Sequence, residues 1–122
     1  YVQYAHARIC SILRNLKEDG IQPRPCTEEE LALLTAPEEL ELIRFLSNFT
    51  GEITGAAKSM DPARITRYVL NVASLFHKFY NACRVKGVDP SLSAARLSLC
   101  TAAKTVIENA LSLFKVTAPD QM

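Results

Sequence analysis

The sequence predicts an all-α bundle of five or six helices, and three observations predict it. Apolar side chains recur at spacings of three and four through each long stretch, the period of a helix that buries one face. Capping and turn residues punctuate these stretches, notably Asp19-Gly20, Thr27 with Glu30, Thr35 with Glu38, and Asp61-Pro62. No segment makes a convincing strand and none repeats. The length of 122 residues suits one domain spanning 1–122.

Residues 1–18 form the first helix, with Val2, Ala5, Ile9, Ile12, Leu13 and Leu16 at helical spacing and Asp19-Gly20 as its stop. Pro23 and Pro25 make 20–26 a loop. Thr27 and Glu30 form a capping box for a short helix to about Leu34. Thr35 and Glu38 repeat the device, with Pro37 in the first turn, and open a helix to about Phe49 whose stripe is Leu40, Ile43, Leu46 and Phe49. The acidic residues of both helices fall in their first turns, where the helix dipole favours them. Gly51 and Gly55 interrupt the pattern, leaving a short helix around 53–59. Asp61 as N-cap and Pro62 as first helical residue open the clearest helix, along which Ile65, Val69, Val72, Phe76 and Phe79 lead to Cys83. After the break at 86–90, a last helix runs from about Leu92 to Phe114 on a stripe of Leu99, Ala103, Val106, Ala110 and Leu113. Residues 116–122 form a tail that Pro119 keeps out of the helix.

Composition excludes several classes of function. No run of roughly 18 apolar residues is present to span a membrane. No basic segment followed by an apolar one marks a signal peptide, and the chain opens on a helical pattern without Met, as an excised domain would. Cys10, Cys26, Cys83 and Cys100 form no CxxC, and with two His they offer no zinc-like spacing; reduced, mostly buried thiols of a cytoplasmic protein are the reading. No glycine-rich phosphate loop is present, the carboxylates cluster where capping explains them, and His6 and His77 lie on helices as structural or surface residues. No catalytic residue and no cofactor or metal is therefore assigned.

Charge is segregated. Residues 18–41 hold eight acidic side chains against Arg24 alone, whereas the rest of the chain holds thirteen basic and five acidic ones. A protein with one side facing a polyanion shows such asymmetry, and so does an acidic helix pair beside ordinary surface lysines. On the first helix Gln3, Tyr4, His6, Ala7, Arg8 and Arg14 cannot all face a core. Tyr4 and Arg8 are four apart and share a face. Tyr stacks on unpaired bases and Arg pairs with phosphate or stacks on a base, although an inward Tyr4 and a surface ion pair for Arg8 fit the same spacing.

Four segments carry a family resemblance across nearly the whole chain: YVQYAHARICSILR at the start, DPARITRYVLNVASLFHKFYNACRV at 61–85, ARLSLCTAAKTVIENALSLFKV at 95–116, and the ending APDQM. Together they resemble the anticodon-binding domain of arginyl-tRNA synthetase, the helical C-terminal domain named after an Asp-Ala-Leu-Arg motif. That motif is degraded or absent here, and Asp120 and Gln121 stand where the family usually has Glu and Arg, removing one positive charge. The resemblance implies recognition of the anticodon stem and loop of arginine tRNA, by a domain cut from a ligase whose missing catalytic domain uses ATP and Mg. It implies that Tyr4, Ala5, His6, Arg8 and Met122 flank the central anticodon cytosine, although a frayed terminus suits Met122 as well. Arg64, Arg67 and Lys78 are then candidates for backbone phosphates. Tyr80 and Asn81 either reach the loop or cap their helix. A monomeric cytoplasmic parent enzyme is expected. The rival readings are a helical protein-interaction module that docks through its acidic 18–41 segment, and the related domain of cysteinyl-tRNA synthetase.

Overall fold

A computed structural model describes residues 2–21, 25–85 and 87–113, and among these residues six helices and no strand occur. They are α1 (Val2–Glu18), α2 (Glu28–Leu31), α3 (Pro37–Ser47), α4 (Phe49–Ser59), α5 (Pro62–Ala82) and α6 (Pro90–Leu113). The all-α class is as the sequence predicts. α5 and α6 pack on each other, with α1 lying against both. α3 also packs on both, α4 on α5, and α2 on α6.

The helix ends follow the capping chemistry, with three departures. Gly20 ends α1 at φ 85°, where its N–H bonds to the Lys17 carbonyl and the Ile21 N–H reaches back to Leu16 at 2.8 Å. The Thr27–Glu30 box is present with both bonds at 3.2 Å. α2 stops at Leu31 rather than near Leu34, because Leu33 and Leu34 bond three residues back and tighten the chain into a turn. α3 is capped one residue later than expected: Ala36 is its N-cap, and Glu39 rather than Glu38 accepts from the Ala36 N–H at 2.9 Å. α4 starts at Phe49, directly after Asn48, which ends α3 and begins α4. Asp61 caps α5 as expected, its carboxylate accepting from the Ala63 N–H at 3.1 Å.

The α3 stripe read from the sequence is also rotated. Leu40 and Ile43 are exposed, and Glu39 and Leu42 are the buried positions. The physical reason is a charge partner. Glu39 is only 1% exposed, and its second oxygen accepts from Arg96 Nε of α6 at 2.8 Å. Arg96 in turn donates to the Arg84 carbonyl just past α5, at 2.7 Å. One carboxylate thus serves the start of α3 and a cation that links α6 to the end of α5.

The core centres on Phe76, Phe79, Val69 and Val72 of α5 with Leu97, Cys100, Ala103 and Ile107 of α6. Burying each large side chain contributes about 1.5–3 kcal/mol. α6 buries more than the single stripe predicted, adding Leu97, Cys100 and Ile107 while leaving Val106 partly exposed, because α1, α2, α3 and α5 surround it. Tyr68 joins α5 to α3: its ring stacks on Phe45 at 4.7 Å and its hydroxyl donates to the Phe45 carbonyl at 2.6 Å. Burial, with the nearby Glu52 charge, pushes the Tyr68 phenol up to about 12. Cys10, Cys83 and Cys100 are buried thiols, and Cys26 is partly buried.

Two substitutions test this frame. Glu39→Ala strands the Arg96 guanidinium and is expected to cost about 3–5 kcal/mol, read as a lower urea midpoint at unchanged slope. Met60 ends α4 with φ 54°, a left-handed conformation that glycine adopts without steric cost, and its side chain is 87% exposed. Met60→Gly is expected to raise stability by about 1 kcal/mol in the same assay.

Candidate nucleic-acid interface

The faces of α1 divide its residues cleanly. Ala5, His6, Ala7, Ile9, Cys10 and Leu16 turn inward, while Tyr4, Arg8 and Arg14 are exposed. Tyr4 is 51% exposed, so its ring does not pack inward as the bland reading of its spacing allowed. Arg8 lies one turn on, and Arg14 further along donates to Ser11 at 3.2 Å. The result is an open strip in which the Tyr4 ring and the Arg8 guanidinium lie one turn apart, with Arg14 on a different side of the helix.

Ala5 and His6, expected beside the anticodon, take the other side. Both are fully buried, so RNA docked on the outer strip does not meet their side chains. The reason for His6 is a partner 102 residues away: its Nε2 lies 2.8 Å from Glu108 Oε1 on α6. Lys104 approaches the same carboxylate at 3.7 Å. Cys10 Sγ lies 3.9 and 3.8 Å from the two ring nitrogens of His6. A sulfur nearly equidistant from both nitrogens is not aligned with the lone pair of either, so this pair is packing, not an activated nucleophile. Ala5 and His6 fasten the helix that displays Tyr4 and Arg8.

On α5 a second group is influenced by the Arg8 charge. His77 is half-buried, with its ring edge-on to Phe76 at 5.7 Å. Burial first, and then the Arg8 charge, lower its pKa below the ordinary 6.5. The Arg8 charge thus acts on a group of α5, a coupling between helices that sequence spacing had no means of showing. One turn along, Tyr80 is partly buried and stacked on Phe76 at 5.9 Å, with Asn81 exposed beside it. Tyr80, Cys83, Arg84 and Val85 line a cleft of about 290 Å³ at the end of α5.

The three cations expected on phosphates are each paired with a carboxylate. Arg64 Nε donates to Glu52 of α4 at 2.8 Å, and its guanidinium lies against Gly55, where a Cβ has no room. Arg67 reaches Asp61 at 3.3 Å and Lys78 reaches Glu41 of α3 at 3.7 Å, both at the surface. Exposed pairs of this kind are worth roughly 0–1 kcal/mol, so phosphate competes for Arg67 and Lys78 at small cost. Arg64 is a strut between α4 and α5. At a helical rise of 1.5 Å per residue, Arg67 lies roughly 15 Å along α5 from His77. Met122 lies outside the described residues. Among the described residues no three His, Cys, Asp or Glu side chains converge as metal ligands, and no helix is long and apolar enough to cross a membrane.

Residues 2–122 match the model of the DALR anticodon binding domain family. The chain belongs to that family. Arginine–tRNA ligases are among the proteins similar to this DALR domain: that of Caldanaerobacter subterraneus subsp. tengcongensis is 56% identical over 122 residues, and that of Ruminiclostridium cellulolyticum 49%. In both cases the match covers all of this chain and 22% of the relative, so the chain spans about a fifth of their length. Thermus thermophilus arginyl-tRNA synthetase has a similar structure, with a TM-score of 0.81 at 29% identity over the whole DALR domain and 21% of that chain. A putative arginyl-tRNA synthetase from Campylobacter jejuni gives 0.79 at 25% identity, again over the whole domain and over 26% of that chain.

The His77 environment of this DALR domain has a measurable consequence. Its folded pKa is lowered, so as pH falls below 6.5 the unfolded chain takes up the proton first. The contribution of His77 to stability is complete above pH 6.5 and is lost as pH falls through the folded value. NMR titration is expected to place the His77 imidazole below 6.5, and Arg8→Gln to move it upward. A His77 titrating at or above 6.5 in the folded wild-type domain contradicts this placement.

Proposed function

We propose that this domain grips the anticodon stem and loop of arginine tRNA, as one part of an arginyl-tRNA synthetase. The observation that carries the reading is the outward Tyr4–Arg8 pair on α1 of a domain whose family binds anticodons. Anticodon bases are unstacked, so an exposed aromatic ring has a base to stack on and a neighbouring guanidinium has a phosphate or base edge to hold. Tyr4 and Arg8 take these roles, beside the central base. Met122, which the family resemblance implies at the same base, is the remaining candidate contact. Asn81 supplies a polar contact from α5, and Arg67 and Lys78 exchange their surface carboxylates for phosphates. Ala5, His6 and Arg64 act by holding the helices in place.

The similar proteins are named for arginine, which favours arginine over cysteine as the amino acid concerned. The parent polypeptide would join arginine to its tRNA in a separate catalytic domain with ATP and Mg, as a monomer in the cytoplasm. Anchoring the loop at this domain positions the acceptor end at that distant site, so binding energy contributes to specificity.

The test is tRNA binding by variants that stay folded. Tyr4→Ala is expected to weaken binding by about 1–3 kcal/mol, the usual loss for one stacked base. Arg8→Ala is expected to weaken it and, if its contact is to phosphate, to reduce the salt slope by about one unit. Unchanged affinity in folded Tyr4→Ala removes that ring from the site.

A further inference from the structure

The acidic part of the domain carries an apolar surface that its own core leaves uncovered. Leu31 and Leu33 are each 43% exposed, Leu40 50% and Ile43 37%. A shallow groove of about 420 Å³ runs between α2, α3 and α6, lined by Leu31 and Ile43 with Leu34, Leu46, Leu99 and Ala102. α3 is thus apolar on two sides, with Leu42 turned to the core and Leu40 and Ile43 turned away from it. Single exposed aliphatic residues are ordinary, but Leu31 and Ile43 line this groove together with Leu34, Leu46 and Leu99, and that continuous apolar lining marks a contact surface.

The surrounding charge states what fits. Glu28 and Glu29 are exposed on α2 and Glu38 is partly exposed on α3, whereas Glu41 is paired with Lys78. A nucleic acid is repelled by such a rim, so this surface is distinct from the Tyr4–Arg8 strip in the partner it takes. An amphipathic helix with apolar anchors three and four apart and flanking Lys or Arg is complementary to it. Such a partner is close at hand. The chain spans 22% of the relatives it matches, so in a synthetase most of the polypeptide lies outside this domain and is tethered to it. A short flexible tether presents a segment at an effective concentration of order millimolar.

We infer that the groove between α2, α3 and α6 docks a basic amphipathic helix from the remainder of the same synthetase polypeptide. The inference rests on the reading of the chain as one domain of a larger synthetase. Docking there fixes the orientation of the tRNA-facing strip relative to the rest of the enzyme, through a surface that RNA itself avoids.

The experiment uses the full-length polypeptide. A photoreactive benzoylphenylalanine replaces Leu31 or Ile43, and the cross-linked peptide is identified by mass spectrometry. The expected product is an intramolecular cross-link to a segment in which Lys or Arg flanks apolar residues. Hydrogen exchange provides a second readout. In full-length Ile43→Glu, amides of 28–43 are expected to exchange at least tenfold faster than in the wild type, while those of α5 and α6 are unchanged. Cross-links between copies or to another protein, a captured segment without basic residues, no cross-link at all, or equal exchange in both forms each overturn the inference. None of these readouts involves tRNA, so failure here leaves the anticodon reading standing, and failure of tRNA binding leaves this result standing.

Discussion

The buried Glu39 carboxylate is the constraint around which the helices are set. At 1% exposure it has no water to stabilise its charge, so it must be met by donors from the protein. The Ala36 N–H and Arg96 Nε supply them, at 2.9 and 2.8 Å. Arg96 is itself only 14% exposed and spends a second donor on the Arg84 carbonyl. Desolvating such a pair is expensive, so its value lies less in net stability than in fixing one arrangement. It sets the rotation of α3, its cap, and the closure of the α5–α6 hairpin together. It also explains why the outer aliphatic face of α3 points away from the core.

α1 obeys a related rule at its own scale. His6 and Glu108 hold it to α6 by a contact that leaves the opposite side free. A helix offering an aromatic ring and a guanidinium to a flexible loop has to be rigid itself, because any freedom in its own position is lost on binding. The fully buried Ala5, His6 and Ile9 supply that rigidity, and Tyr4 and Arg8 use it. The same division recurs on α5, where Phe76 and Phe79 face the core and His77 and Asn81 lie on its outer side or edge.

Much of the fold was legible because its signals are local. Asp61-Pro62, Thr27 with Glu30 and Gly20 act within one helical turn, and all three behave as their chemistry dictates. The phase of α3 was not legible. Leu40, Ile43 and Leu46 make as good a stripe as Leu42, Phe45 and Phe49, and the choice falls to Glu39, whose partner lies 57 residues further on. The site divides in the same way. That Tyr4 and Arg8 share a face follows from spacing four. The inward turn of His6 depends on Glu108, the pairing of Arg64 depends on Glu52, and the effect of the Arg8 charge on His77 is tertiary.

The measurement that tests the anticodon reading most directly compares two arginine tRNAs, one native and one with its central anticodon base changed, each bound to this domain at low and at moderate salt. Phosphate contacts weaken with salt for both RNAs alike, whereas base contacts distinguish them at either salt. The account predicts tighter binding of the native RNA, with the ratio retained as salt rises. Equal affinity for the two at both salts contradicts it, since that result describes a basic surface with no reading of the base.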